Sequence, residues 1–323
     1  MFNQHGVFYF NTPDTIYNTT QWSIDLEKIE QLKKHQLVVA DFSSEHYGND
    51  TLHNLYECLD SHKINFILLS HDVDDHQRRD KLFFYPHWYH WAKKRFVQNY
   101  KSNINNLEKK FNVSCLNANP RYHRIYNFLT LRKKPYFNDW FFSMHQHDSN
   151  PIRNDDYILP AEYVNEWNSI SHTLPTRTKL KINTNSIVDD LMNPACNNSY
   201  IHLVTEVTML PKIFLSEKTW KPIACGQLFV VIGNPGLISH LRAQGVDTFD
   251  DIIDHAYYDH ETNWELRINK VHKILETLIQ QDLYIINKET QQRRLRNAEK
   301  FFTGEFDTFY QNLIQEYAKK YTE

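Results

Sequence analysis

Short, continuous apolar runs that alternate with helical patterns constrain this chain more than any other feature of its sequence. Two runs, Leu37–Phe42 and residues 64–69, flank a segment at residues 51–62 in which leucines recur at helical spacing. Two more, residues 201–205 and Leu228–Ile232, flank a polar loop and a short helical segment. Continuous apolar strands are typical of parallel sheets that are buried on both faces. The pattern therefore predicts an α/β fold built from strand–helix–strand units.

The chain is long enough for two domains, because 323 residues exceed what one hydrophobic core usually serves. A polar stretch at residues 101–110 is the predicted boundary between them. Apolar residues recur at helical spacing near the C-terminus, which predicts helices at residues 265–281, 288–301 and 305–321. Residues 245–251 are predicted to form either a turn with a short strand or a plain loop.

The composition excludes several classes of protein. Hydrophobic residues make up 41% and charged residues 23%, as in a globular protein. The sequence has no apolar run near the roughly 20 residues that span a bilayer, and its first residues lack the features of a signal peptide, so a cytoplasmic location is expected. The four cysteines are too widely spaced for a zinc motif or a disulfide scaffold. The net charge of −3 argues against a surface built for nucleic acid, although basic runs occur at residues 93–95, 132–134 and 293–296.

Two acids and a lysine lie between the third and fourth apolar runs. Glu206 directly follows the run at residues 201–205, and Glu217 and Lys218 precede the short helical segment. Because ligands of open α/β sheets bind at the carboxyl ends of the strands, Glu206 stands where a ligand is expected. An isolated Glu-Lys pair is most often a solvated surface pair, so its neighbourhood carries the argument.

The short helix after Lys218 is placed by its proline and glycine. Pro222 lacks an N–H group and is tolerated in the first turn of a helix, where N–H groups have no partner. This predicts Thr219 as the N-cap and Gly226 as the end of the helix. A helix N-terminus with a lysine beside it attracts phosphate groups.

Two stretches resemble the alpha-1,3-fucosyltransferase family. The donor-binding motif of that family is matched by Thr205-Glu206-Val207, Ser216-Glu217-Lys218 and Phe229-Val230-Val231. Upstream, residues 111–117 followed by Arg121 and Arg124 are similar to the strand, arginine and helix of the family. Together the matches span roughly residues 111–260, about half of the chain.

The resemblance implies a glycosyltransferase of the GT-B type, with two Rossmann-like domains and a helical C-terminus. It implies an acceptor-side domain at residues 1–105, a donor-binding domain at residues 106–302, and a final helix at residues 303–323 that packs back on the first domain. The co-substrate would be a nucleoside-diphosphate sugar, preferably GDP-linked, with no other cofactor. The implied donor-binding residues are Asn117, Arg121, Arg124, Glu206, Ser216, Glu217, Lys218 and Thr219.

Chemical reasoning assigns similar roles to some of these residues. Transfer of a sugar leaves a charged diphosphate, and fixed donors aimed at that charge are the strongest catalytic aid available. Arg124, Lys218 and the helix N-terminus fit this role. Alternatively, Arg121 and Arg124 are ordinary surface charges on a helix predicted at Tyr122–Leu131. Glu206 or Glu217 would accept hydrogen bonds from ribose or sugar hydroxyls, since one carboxylate can take two hydroxyls.

An inverting transfer also needs a base near the acceptor hydroxyl. In a two-domain enzyme this base comes from the first domain, and the candidates that follow its apolar strands are Asp41, Glu45, His71 and Asp72. Glu45 and Asp72 are slightly favoured, with His71 as a further candidate. Retaining enzymes usually show two glutamates eight positions apart, whereas Glu206 and Glu217 are eleven apart, so the spacing favours inversion.

Three alternatives remain open from the sequence. Asp72 and Asp74 after an apolar strand form an Asp-x-Asp, which metal-dependent glycosyltransferases of GT-A type use to hold Mn²⁺ or Mg²⁺ on a diphosphate. This tripeptide arises easily by chance among 39 acidic residues, so a metal-independent enzyme is preferred. A noncatalytic nucleotide-sugar-binding module is the second alternative. The acceptor is a glycan or another hydroxyl group, and a modified DNA base, as used by viral-type DNA glycosyltransferases, is the third.

Overall fold

The computed structural model describes residues 7–11, 30, 32–35, 37–42, 49–70, 81–84, 87–96, 100–117, 120–144, 158–173, 176–177, 198–306, 308, 312, 315, 316 and 319. These residues form an α/β fold whose two sheets are parallel except for one strand, as the apolar runs predict. The chain divides into two compact units, Met1–Trp88 with Asp307–Glu323, and Tyr89–Phe306. The GT-B domain limits implied at residues 105 and 302 stay a prediction.

The first unit contains a sheet with the strand order β1-β2-β3-β4. Its strands are β1 (Val7–Asn11), β2 (Leu37–Phe42), β3 (Phe66–Ser70) and β4 (Leu82–Phe84), and helix α1 (Asn49–Ser61) joins β2 to β3. Leu55 and Leu59 of α1 belong to the same buried cluster as Val38 and Phe66 of the sheet. The predicted strand Leu37–Phe42 and the strand–helix–strand unit around it are confirmed.

The second unit contains a sheet with the strand order β7-β6-β5-β8-β9. Its strands are β5 (Phe111–Asn117), β6 (Phe141–Met144), β7 (Thr176–Arg177), β8 (Ser199–Thr205) and β9 (Leu228–Ile232). The helices described after β4 are α2 (His87–Arg95), α3 (Tyr100–Asn105), α4 (Tyr122–Leu131), α5 (Ala161–Ile170), α6 (Glu217–Cys225), α7 (Leu237–Ala243), α8 (Ala256–Asp259), α9 (Trp264–Ile279), α10 (Leu283–Glu289) and α11 (Gln291–Thr303). The predicted bounds of β9 and α4 are confirmed.

The strand order of the second sheet contains a topological switch point between β5 and β8. From β5 the chain moves outward to β6, and it later returns to pair β8 with the other edge of β5 before moving on to β9. The loops that leave β5 and β8 therefore diverge at the carboxyl ends of two neighbouring parallel strands. In open α/β sheets this divergence opens a crevice where ligands bind.

Helix α6 begins earlier than the sequence predicts. Its N-cap is Ser216, whose side chain accepts a hydrogen bond from the N–H group of Lys218, so the prediction of Thr219 as N-cap is wrong. Pro222 is the sixth residue of the helix instead of part of the first turn. The predicted end is confirmed, because Gly226 caps the helix in the left-handed conformation with φ 62°.

The helical predictions for residues 265–281 and 288–301 are confirmed in type but not at every boundary, whereas most of the helix predicted at residues 305–321 lies outside the described residues. The helix predicted at residues 265–281 is α9, whereas residues 288–301 span the end of α10 and most of α11, which meet at Thr290. Of the two predictions for residues 245–251, the short strand is wrong and the plain loop is confirmed. This segment is a turn in which Asp247 and Asp251 pair with Arg293 of α11 at 2.6 and 2.8 Å.

A buried arginine of α9 fixes the loops beside β9. Arg267 is 2% exposed, and its guanidinium donates hydrogen bonds to the backbone carbonyls of Gly233, Asp259 and Glu261. Carbonyl groups that are buried without a donor are destabilising, so this one side chain satisfies three groups that the fold removes from water.

Replacing this arginine should destabilise the second unit. We expect Arg267→Met to lower the free energy of unfolding by about 2–4 kcal/mol, because buried carbonyls lose their donors. Urea denaturation measures the change. The matched control is Arg242→Met, which removes an exposed arginine paired with Asp250 at 2.8 Å and should change stability by less than about 1 kcal/mol. Equal effects of the two substitutions would contradict the assignment.

Candidate functional site

The carboxylate of Glu206, at the end of β8, is fully buried and joins β8 to α6. Its Oε1 accepts hydrogen bonds from the backbone N–H group of Ser216 at 3.0 Å and from the hydroxyl group of Thr219. Its Oε2 accepts from the Ser216 hydroxyl group at 2.6 Å and from the Val207 N–H group at 3.2 Å. Four donors thus occupy the two carboxylate oxygens, and the first turn of α6 is held against the strand end.

Glu217 and Lys218 form an ion pair in that first turn. Lys218 Nζ lies 2.7 Å from Glu217 Oε1, and the side chains are 28% and 15% exposed. Burial raises the pKa of the Glu217 carboxyl group, but the Lys218 ammonium outweighs it, so the pKa is lowered overall. The Glu217 carboxyl group is therefore ionised at neutral pH, and both side chains of the pair are partly open to solvent, unlike Glu206.

The N-terminus of α4 lies after β5, on the other side of the switch point. Its N-cap residue, Arg121, makes no side-chain cap, and the first turn contains no acidic residue. Arg124 in this turn is 2% exposed and donates to the carbonyl groups of Thr205 and Glu206, both at 3.0 Å. Burial, followed by the charge of Arg121, lowers the pKa of Arg124 to about 10, so it is still a cation at neutral pH.

The ends of β5 and β8 are also joined directly. The hydroxyl group of Thr205 donates to Oδ1 of Asn117, and Nδ2 of Asn117 lies 3.3 Å from Sγ of Cys115. All eight predicted donor-binding residues therefore lie at the carboxyl ends of these two strands or in the helix starts that follow them. Buried members of this group are bonded within the protein, and the partly exposed members are Arg121, Glu217 and Lys218.

The predicted catalytic residues are not placed by the structure. Glu45, His71 and Asp72 lie outside the described residues, as does Asp74 of the alternative metal site. The side chain of Asp41 also lies outside them, although its backbone belongs to β2. In the part of the chain that is described, no cluster of three His, Cys, Asp or Glu side chains is placed to hold a metal ion.

Two residues that the sequence did not point to stabilise this edge of the sheet. Asn234 joins neighbouring loops, because its Oδ1 accepts from the N–H group of Phe214 and its Nδ2 donates to the carbonyl of Leu210. His123, in the first turn of α4, lies 2.8 Å through Nε2 from the Glu206 carbonyl. Asn234 in an Asn-Pro-Gly turn was a visible loop signal, whereas nothing near His123 in the sequence indicates its partner.

Two arginines of the basic run at residues 293–296 make their contacts within the protein. Arg293 pairs with two aspartates, and Arg294 is 2% exposed and donates to the carbonyls of Gly226 and Asn287.

Among the described helices, none combines the length and apolarity needed to cross a bilayer.

Comparison with known proteins adds one similarity. No family model matches the chain, and no curated protein is significantly similar to it, so the fucosyltransferase resemblance stays a prediction. The chain is similar to a solved structure of the DNA modifying enzyme beta-glucosyltransferase, described in the presence and absence of the substrate uridine diphosphoglucose. The two are 12% identical, the match covers 91% of this chain and 78% of that chain, and the TM-score is 0.37. A TM-score this low does not establish a common fold.

Proposed function

We propose that the second unit binds a nucleoside-diphosphate sugar and that the protein transfers the sugar to an acceptor hydroxyl group with inversion and without a metal ion. The observation that carries this proposal is the switch point between β5 and β8, flanked by the N-termini of α4 and α6. Both helices direct the positive ends of their dipoles toward the carboxyl edge of the sheet, which favours a bound diphosphate.

The partly exposed side chains supply the contacts to this donor. Lys218 and Arg121 carry positive charge next to the helix starts, and each charge-assisted hydrogen bond to a phosphate oxygen contributes about 1.5–3 kcal/mol. Glu217 is the carboxylate available for ribose or sugar hydroxyls, because the oxygens of Glu206 already have four donors within the protein. Glu206 and Arg124 therefore serve the site by positioning it.

The donor preference and the acceptor are open to direct screening. GDP-linked sugars are favoured, and Glu45, His71 and Asp72 are the candidates for the base. The acceptors to be screened are glycans and other hydroxyl compounds, including a modified base in DNA. Thermal shift with GDP, UDP, ADP and CMP sugars tests donor binding, because a ligand of the folded state raises the melting temperature. No shift with any of them would refute the proposal, and loss of turnover with EDTA would favour the metal-dependent enzyme.

The ion pair in the first turn of α6 should matter for binding more than for folding. We expect Lys218→Ala and Glu217→Ala each to weaken donor binding by more than about tenfold, because each removes a charge-assisted contact. The melting temperature of the free protein should change little, since a partly exposed ion pair contributes less than about 1 kcal/mol. The control is Lys133→Ala, which removes a comparable 2.7 Å pair with Glu166 and should leave donor affinity intact. A large loss of stability in the Lys218 variant would instead support a purely structural pair.

A further inference from the structure

The first turn of α4 holds the two backbone carbonyls at the end of β8. Arg124 Nη2 donates to the carbonyls of Thr205 and Glu206, and His123 Nε2 lies 2.8 Å from the Glu206 carbonyl. Both side chains and Glu206 are at most 2% exposed. The bonds are therefore made away from water, where the loss of a partner is most destabilising.

The position of Glu206 determines the position of the first turn of α6. The N–H group of Glu206 donates to the carbonyl of Ile232 at 2.8 Å, so its backbone is held from both sides. The carboxylate then takes the N–H and hydroxyl groups of Ser216 and the hydroxyl group of Thr219. A shift of the Glu206 backbone would therefore move the first turn of α6, including Lys218.

His123 has the chemistry of a donor with a single partner. Burial, followed by the charge of Arg124, lowers the pKa of His123 well below its ordinary value, so the ring is neutral. A neutral ring has one N–H, and since the Glu206 carbonyl can only accept, the proton lies on Nε2. Nδ1 is buried and has no hydrogen-bond partner among the described residues. For packing alone an apolar side chain would suit this position better, because it would bury no unsatisfied nitrogen.

We propose that His123 is a positioning residue for the donor site. Its Nε2–H group, together with the guanidinium of Arg124, fixes the end of β8. Glu206 then holds the first turn of α6, with Lys218, in position to contact a bound diphosphate. The identity of the ligand in this inference rests on the proposed function. Arg124 is accordingly assigned to the strand end and not to a phosphate.

The test compares two substitutions of similar volume in the full chain. His123→Gln keeps an N–H group at nearly the same reach, whereas His123→Met removes it. We expect the Met variant to bind GDP about tenfold more weakly in calorimetry, and the Gln variant to stay within about threefold of the wild type. Hydrogen exchange should accelerate at the Ser216 and Lys218 amides in the Met variant only. The control is Tyr126→Phe, which lies in α4 like His123 and removes a 3.2 Å hydrogen bond to Asn269. It should change neither the affinity for GDP nor the exchange rates.

Several outcomes would overturn the inference. Wild-type affinity and exchange in the Met variant would do so, and so would equal losses in the Met and Gln variants, which indicate packing alone. If the Met variant does not fold, Arg124→Lys takes its place, because one ammonium cannot reproduce the guanidinium geometry. A several-fold weaker affinity for GDP in that variant supports the inference. Wild-type affinity and wild-type exchange rates overturn it. If the wild type binds no nucleoside diphosphate, the proposed function fails, while exchange at Ser216 still decides whether His123 positions α6.

Discussion

Between pH 7.5 and pH 5 the protein should lose about 6 kcal/mol of its free energy of unfolding, which is comparable to the whole stability of a typical single domain. Burial lowers the pKa of His202 and His272 to about 3 and that of His255 to about 4. It also lowers the pKa of His123 well below the ordinary value of 6.5. The imidazoles of His202, His272 and His255 therefore stay neutral in the folded protein over this range of pH.

The direction follows from where the protons bind. An unfolded histidine takes up a proton as the pH falls through about 6.5, and a buried one does not, so protons favour the unfolded state. The stabilisation is therefore complete above pH 6.5 and falls by about 2 kcal/mol per histidine at pH 5. Carboxyl groups with lowered pKa, such as Asp247 and Glu276, act in a separate window below about pH 4.5.

Urea denaturation at pH 7.5, 6.5, 5.5 and 5.0 measures this loss. His272→Gln should reduce the total loss of stability between pH 7.5 and pH 5.0 by about 2 kcal/mol, because one titrating group is removed while an N–H donor to Asn127 remains. The control is His172→Gln, at an exposed position, which should leave the total loss as it is. A stability that is flat from pH 7.5 to 5.0 would show that these imidazoles are not held neutral.

Glu206→Ala should produce the largest loss of stability among single substitutions in the site, about 3–5 kcal/mol. The substitution leaves the Ser216 and Thr219 donors without an acceptor. It also removes the negative charge that favours the charged form of buried Arg124. Breaking one member of such a buried set is costly because the remaining charge and donors stay out of water.

Denaturation of the variant, read as a shift in the urea midpoint, measures this effect. Glu206→Gln keeps the shape and one acceptor oxygen and should lose roughly half as much. Glu217→Ala is the matched control, because its carboxylate is partly exposed and lies eleven residues further along the same segment. If Glu206→Ala destabilises no more than Glu217→Ala, Glu206 does not anchor α6.

The sequence predicted the parts of the fold that depend on local patterns. The bounds of α4 and β9 and the end of α6 at Gly226 follow from apolar runs and a glycine, and each is confirmed. The start of α6 was wrong because a rule for proline placed the helix by Pro222 alone. Ser216 is the cap because Glu206, ten residues away, binds both its N–H and its hydroxyl group, and no local rule contains that contact.

The candidate site, like the fold, could be predicted from the sequence only where it depends on local patterns. Residue types at Glu206, Glu217 and Lys218 pointed to this edge of the sheet, but the strand order that makes it a switch point is a property of long-range pairing. Burial then separates the roles of Glu206 and Glu217, which the sequence left interchangeable. His123 was missed because its partner, Glu206, lies 83 residues along the chain.

The pairing of β5 with β8 also bears on how the protein is made. The side chain of Ser114 in β5 is hydrogen-bonded to His202 in β8, which lies 88 positions later in the sequence. During synthesis, β5 therefore leaves the ribosome before β8, and the edge of β5 that pairs with β8 is unpaired until then. Closing so long a loop slows folding, and a waiting strand edge invites aggregation. Fragments that end before residue 199 should therefore need chaperones to remain in solution.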